Sequence, residues 1–394
     1  MNIFKKVLSF IIAIIIFVYM QNPPMANGEE YQQSAITTDN EVSQFTGNIS
    51  AASAILINAE TSEILYAKNE NERRAMASTT KIMSAILTIE AGELDKKFTV
   101  DDYAINVEGT SMGLKKGDIV TRLALVQGML LPSGNDAANA AAVNVSGSIG
   151  KFIDMMNNKA QELKLNDTNF VTATGLDAQN HYTTASDLAK LTAYALKNPI
   201  FKEICSKQSL KSEFGNPVSP RWLKNSNKLL SSYEGAIGVK TGFTDNARRC
   251  LVSAAKRNGI TLIAVTLNAP DDWNDHKNML DFGFSQYEKI KVIFSDSSIT
   301  VPVVGAEQEF VNIAVDTSLE VNVQKQYKEQ IRTKLLLPKF VYAGFDEGKE
   351  IGTIQYITNG KIIAQFPIKT AQAISVSENK MGIWDKILKF IGIR

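Results

Sequence analysis

Histidine and cysteine are scarce in this chain of 394 residues, which carries only His181, His276, Cys205 and Cys250. A Ser-His-Asp triad would have to use one of the two histidines, and neither stands where a base is expected. His181 precedes Tyr182, Thr183 and Thr184, and Thr184 followed by Asp187 reads as a helix start, so His181 packs a loop or caps that helix. His276 lies among Asp271, Asp272 and Asp275, which reads as a solvated acidic loop without the H-x-x-x-H or paired-cysteine spacing of a zinc site. No metal and no cofactor are expected. Two cysteines make no disulfide framework: in an exported chain they can pair, or remain two buried thiols. Also missing are a GxxxxGK[ST] phosphate loop, a basic aromatic pattern and an excess of either charge, the net being +1. These absences exclude a nucleotide-driven enzyme and a nucleic-acid partner.

What the chain does have is three short strings, once each and in this order: Ser78-Thr79-Thr80-Lys81, Ser133-Gly134-Asn135 and Lys240-Thr241-Gly242. Singly they say little, since an S-x-x-K arises by chance once per ~200–300 positions. Ser78 precedes the apolar run Ile82, Met83, Ala85, Ile86, Leu87 and Ile89, the pattern of a buried helix ending near Gly92. Three residues on, Lys81 falls on the same helical face, so its amine can reach the Ser78 hydroxyl. A serine hydroxyl is a weak nucleophile and needs a neutral base. Lysine serves if apolar surroundings and a second ammonium, that of Lys240, disfavour its charged form.

Ser133-Gly134-Asn135 follows an apolar helix face that Pro132 interrupts and precedes an Ala-rich helical stretch. It reads as a loop between helices that offers a hydroxyl and an amide, and alone it would be an ordinary turn. Lys240-Thr241-Gly242 follows Ala236, Ile237 and Val239 and comes before two β-like runs, Cys250 to Ala255 and Ile260 to Leu267, joined by Asn258-Gly259, a strong hairpin signal. The third string therefore lies on a strand, where Gly242 lets a substrate backbone approach and Lys240 and Thr241 suit a substrate carboxylate.

Together these residues resemble the penicillin-binding protein and serine β-lactamase superfamily, whose S-x-x-K, S-x-N and K-T-G elements line one cleft. Ser-Gly-Asn rather than Ser-Asp-Asn resembles the low-molecular-mass D-alanyl-D-alanine carboxypeptidases of peptidase family S11. The likeness runs on through Leu130-Leu131-Pro132-Ser133-Gly134-Asn135-Asp136-Ala137-Ala138, Thr174-Gly175-Leu176-Asp177 and His181 to Thr184. It implies Ser78 as nucleophile, Lys81 as general base, Ser133 as proton carrier to the leaving amine, and Asn135, Lys240, Thr241 and Gly242 as substrate-binding residues. It also implies an oxyanion hole from the backbone amides of Ser78 and Phe243, whose ring either packs in the core or lines the cleft. Implied partners are peptidoglycan stem peptides and β-lactams as covalent inhibitors. A β-lactamase, with fast deacylation, and a silent wall-binding protein are the rival readings. Two departures stand out: Arg248 occupies a position where relatives usually have glycine, which bears on turn geometry, and Ser226 one where some carry arginine, which bears on how a carboxylate is bound.

Organisation follows from composition. Lys5 and Lys6 ahead of the apolar Val7–Tyr19 read as a signal peptide over residues 1–28, short for a retained span. A polar linker over 29–47 leads to the catalytic domain, 48–287, expected as an α/β transpeptidase/β-lactamase-like fold with helices on an antiparallel sheet; Ser53–Ile57 and Glu63–Tyr66 form a hairpin of that sheet. Short alternating runs over 288–378 read as a small all-β domain. Residues 379–394 read as an amphipathic helix in which Ile383, Trp384, Ile387, Leu388, Phe390 and Ile391 would enter a membrane surface. The implied location is exported, on the outer, wall-side face of the cytoplasmic membrane.

Overall fold

The computed structural model describes residues 29–32, 45–292, 299–315 and 319–377. The signal segment and the C-terminal helix, with Ile383, Trp384, Ile387, Leu388, Phe390 and Ile391, lie outside the described residues. Among the described residues no helix is long and apolar enough to cross a membrane. The chain divides into two compact units, one over Ser43–Gln286 and the other from Tyr287 onward together with the residues before Ser43.

The first unit is built on five strands, Ser53–Asn58 (β1), Ile64–Lys68 (β2), Ala236–Thr244 (β3), Arg248–Arg257 (β4) and Ile260–Leu267 (β5), antiparallel in the order β2-β1-β5-β4-β3. The expected hairpin Ser53–Tyr66 and the Lys240 strand are thus the two halves of one sheet. Asn258 and Gly259 turn β4 into β5 with φ of +49° and +82°, the paired left-handed residues of a tight hairpin. β1 and β5 are buried almost throughout, because both faces of the sheet are covered. Ile55, Ile57, Ile263 and Val265 join the main helical core. Leu56 and Leu262 instead meet the helix Asp272–Ser285, where Gly283 leaves room for them.

Three helices carry the first two strings. Lys81–Glu90 (α1) is buried from Lys81 to Ile89, as its apolar run requires, and a 3-10 turn over Ala77–Thr80 leads into it. Arg122–Leu130 (α2) ends before Pro132, and Asn135–Ser146 (α3) begins at the last residue of the second string. The expected loop is therefore only Leu131–Gly134, and Asn135 already belongs to a helix. The helix Asp272–Ser285 is labelled α4.

α4 corrects the reading of His276. The segment is no solvated loop: His276, Met279, Leu280 and Gly283 are buried at helical spacing, and Asp272 and Asp275 sit in the first turn, where the helix dipole favours acids. Asp275 accepts hydrogen bonds from Ser50 N at 2.8 Å, Ser50 Oγ at 2.7 Å and Ala51 N at 3.0 Å. His276 bridges Ser253 Oγ at 2.5 Å and Thr266 Oγ1 at 2.9 Å, and burial pushes its pKa down to about 3. Acid-rich composition disguised a buried helix face. Both cysteines are free and buried, and burial pushes each thiol up to about 12.

Arg248 opens β4 with φ +58°. The turn keeps a left-handed geometry that glycine adopts freely and arginine adopts at about 1–2 kcal/mol. Glycine's own loss of chain entropy offsets about 0.5–1 kcal/mol of that. Arg248→Gly is therefore expected to stabilise the protein by up to about 1 kcal/mol, read as a Tm rise of about 2–4 °C. A lower Tm would mean that the arginine side chain contributes more than the turn costs.

The second unit is all-β, as its alternating runs predict. Glu29–Gln32, Thr300–Val304, Phe310–Ala314, Arg332–Leu336, Val341–Tyr342, Glu350–Thr358 and Lys361–Thr370 form one sheet, and Tyr287–Val292 pairs with Leu319–Gln324. Asn359-Gly360 turns Glu350–Thr358 into Lys361–Thr370, with φ of +48° and +70°. Glu29–Gln32, read as linker, pairs antiparallel with Arg332–Leu335, so this polar stretch adds a strand to the sheet. Backbone pairing needs no apolar side chains, which is why composition missed it.

Candidate active site

A cleft of about 380 Å³ brings the three strings together; Ser78, Ser133, Asn135, Thr241, Gly242 and Phe243 all line it. Lys81 and Lys240, each at most 1% exposed, lie behind that lining.

Lys81 Nζ lies 2.8 Å from Ser78 Oγ, 2.6 Å from Asn135 Oδ1 and 2.7 Å from the Thr174 carbonyl oxygen. Asn135 Oδ1 and the Thr174 carbonyl can only accept. A neutral amine therefore gives its two N–H bonds to them and turns its lone pair to the Ser78 hydroxyl. Burial, and then the positive charge of Lys240, hold Lys81 well below the usual lysine range, with Asp136 opposing. Lys240, also by burial, is lowered to about 7, and its Nζ donates to the Thr241 carbonyl at 2.8 Å. The arrangement is that of a hydroxyl beside an amine whose charged form is disfavoured.

Close backbone approaches set the position of Ser78. Ala77 precedes it with φ +47°. Gly242 passes so near that a Cβ there would lie 3.1 Å from Ser78 N and 3.2 Å from the Met76 carbonyl oxygen. This brings the end of the third string beside the serine amide, where paired N–H donors can meet one oxygen. The Phe243 ring is 60% exposed, so it lines the cleft and does not pack in the core. Ser133 holds a left-handed φ of +67°, a strain typical of functional turns, and among the described residues its hydroxyl makes no hydrogen bond. Thr110 Oγ1 donates to its carbonyl at 2.6 Å.

Three further residues shape the site. Asp136, in the first turn of α3, accepts from Ser111 Oγ at 2.6 Å and from the backbone N–H groups of Met112, Gly113 and Leu114 at 2.9–3.1 Å, which ties the 110–114 loop to the second string. An acid directly after Ser-Gly-Asn at a helix start was the available signal. His181 Nδ1 accepts from Val171 N at 2.9 Å, so its other nitrogen carries the proton and donates to Thr80 Oγ1 at 2.9 Å. Thr80 Oγ1 in turn donates to the Ala77 carbonyl at 2.8 Å. Burial lowers His181 to about 4, so this neutral tautomer persists at physiological pH; the ring packs a loop, as its sequence context suggested. Gly175 is the third, since a Cβ there would lie 2.0 Å from the Ala77 carbonyl oxygen.

The chain is similar to known proteins over most of its length. Residues 38–271 match the family model described as D-alanyl-D-alanine carboxypeptidase, and residues 287–375 match that of the penicillin-binding protein 5 C-terminal domain. The D-alanyl-D-alanine carboxypeptidase DacF of Bacillus subtilis is 33% identical over 85% of this chain and 90% of its own length, and DacC of Escherichia coli is 29% identical over 86% and 88%. The crystal structure of the Streptomyces K15 DD-transpeptidase is 34% identical and superposes with a TM-score of 0.58 over 61% of this chain and 98% of its own. The first family model spans more than half of the sequence, and on that match the chain belongs to the D-alanyl-D-alanine carboxypeptidase family.

Proposed function

We propose that the protein removes the terminal D-alanine from peptidoglycan stem pentapeptides through an acyl-enzyme on Ser78. The observation that carries this reading is the 2.8 Å approach of a buried lysine amine to the Ser78 hydroxyl, in a cleft lined by no histidine. Lys81 takes the hydroxyl proton as Ser78 attacks the carbonyl of the penultimate D-alanine. Ser133, with its hydroxyl unengaged, passes a proton to the departing amine, and Asn135 orients Lys81 and the substrate amide. The backbone amides of Ser78 and Phe243 stabilise the oxyanion; a lost donor of this kind typically costs ~10²–10³ in rate. β3 is an edge strand of its sheet, so an extended stem peptide can pair with it beside Thr241 and Gly242. Water then frees the shortened peptide.

β-Lactams, which mimic the D-alanyl-D-alanine end, would acylate the same serine. The proposed setting is the wall side of the cytoplasmic membrane, with the 379–394 helix lying on the membrane surface, and the proposed role is peptidoglycan maturation and cell-shape control. The test is D-alanine release from a soluble acyl-D-alanyl-D-alanine peptide by the full chain and by Ser78→Ala. Release by the parent alone is expected. Release by both would remove Ser78 from the reaction, and release by neither would overturn the carboxypeptidase reading.

A further inference from the structure

Of the third string, Thr241 can offer its hydroxyl to the terminal carboxylate that a carboxypeptidase must recognise, but the string presents no cation to the cleft. Lys240 is buried behind the cleft and bonded to the Thr241 carbonyl, and Ser226 stands in the cleft wall without a charge. Two other cations line the cleft, Arg249 and Lys228.

Arg249 is the one whose position is built. It pairs across β3 and β4 with Phe243, one residue past Gly242, so it stands on the same side of the two strands as the Phe243 ring. Its Nε and Nη2 donate to one oxygen of Asp272 at 3.0 and 2.7 Å, while Nη1 takes part in neither bond. Asp272 is 5% exposed at its side chain and Arg249 is 42% exposed, so the acid is withdrawn while the guanidinium reaches solvent. Asp272 opens α4, and Trp273 beside it holds its ring 5.8 Å from the guanidinium carbon. A planar guanidinium held along one edge keeps its other edge for a second carboxylate, which a flexible lysine such as Lys228 does not offer.

Resting on the carboxypeptidase reading, we infer that Arg249, oriented by Asp272, receives the substrate's terminal carboxylate and makes the site select a free C-terminus. Phe243 N–H is the proposed oxyanion donor, and the terminal carboxylate of the scissile residue lies one residue beyond the attacked carbonyl, which brings it toward the arginine opposite Phe243. Asp272 is then a positioning residue.

The experiment compares, for the full chain, diacetyl-lysyl-D-alanyl-D-alanine with its C-terminal carboxamide, following the shortened peptide that both yield. The parent is expected to prefer the free acid. Arg249→Ala should lower kcat/KM for the free acid by about 10- to 10²-fold, the size of one charge-assisted hydrogen bond, chiefly through KM. It should leave carboxamide cleavage within about twofold. Arg249→Lys, which keeps the charge and most of the packing, should recover part of the loss, and Asp272→Asn should fall between. An equal loss on both peptides, no loss at all, no preference by the parent, or a selective loss in Lys228→Ala instead would overturn the inference and leave the carboxypeptidase reading standing. Cleavage of neither peptide by the parent would overturn both.

Discussion

Lys81→Ala is expected to slow acylation of Ser78 by about 10⁴-fold, the upper end of what one general base contributes. The upper end is warranted because Lys81 Nζ is the one amine bonded to Ser78 among the described residues, and both histidines are engaged by other hydroxyls, His181 by Thr80 and His276 by Ser253 and Thr266. The measurement is the rate of covalent labelling by a fluorescent penicillin, and labelling within tenfold of the parent would remove Lys81 as the base. The pH profile carries the same information with a definite sign. Burial and Lys240 lower the Lys81 pKa, which favours the free base, and kcat/KM falls as acid protonates it. Removing the neighbouring charge with Lys240→Met makes Lys81 easier to protonate, so the acid limb should move to higher pH. An acid limb that stays put or moves lower would show that burial alone sets the amine. Linkage runs in the same direction: Lys81 takes up a proton on unfolding at pH values between its folded and unfolded pKa, so stability rises with pH across that window.

Gly175→Ala should be the most damaging methyl group that can be added to the site. Its Cβ would lie 2.0 Å from the Ala77 carbonyl oxygen and 2.5 Å from the carbonyl carbon, backbone atoms with no rotamer to yield, at a residue whose φ is +87°. Either the 172–177 segment withdraws, taking the Thr174 carbonyl from Lys81, or the turn that carries Ser78 shifts. A destabilisation of about 3–5 kcal/mol is expected, in the range of steric faults that also strain the backbone, together with loss of penicillin labelling. Gly92→Ala is the matched control, with φ +71° and nothing within 4 Å of the added carbon, so it should cost only the turn strain of about 1–2 kcal/mol. Urea unfolding of the two variants separates the cases, and equal losses would show that the contact with Ala77 is relieved at little cost.

The three strings and the Asn258-Gly259 hairpin were legible because each is a local signal: a helical spacing of three, a proline stop, paired left-handed residues. What escaped depends on contacts far apart in sequence. Asp136 matters because the 110–114 loop folds back onto it, and Gly175 because of its distance to Ala77, and neither meeting is written in a window of ten residues. His276 was misread because aspartates suggest solvent, although the buried Met279 and Leu280 three and four residues on carry the helix period. Arg249 drew no notice beside Arg248, which departs from the family; only the pairing with Phe243 across the hairpin gives it a direction.

The two walls of the cleft are tied down unequally. On one side Asp136 gathers the 110–114 loop with several bonds, and Asn135 adds its own from Nδ2 to the Glu108 carbonyl at 2.6 Å. On the other, the tip of the β3–β4 hairpin meets the facing loop through Asp177, which accepts from Thr244 Oγ1 at 2.7 Å and from Asn246 N at 3.3 Å, both bonds exposed to water. Solvated bonds of this kind open at little cost, whereas the buried carboxylate of Asp136 cannot let go without being left unpaired. On warming, the tip of the hairpin is therefore expected to be the first part of the cleft to open, before the wall that Asp136 holds.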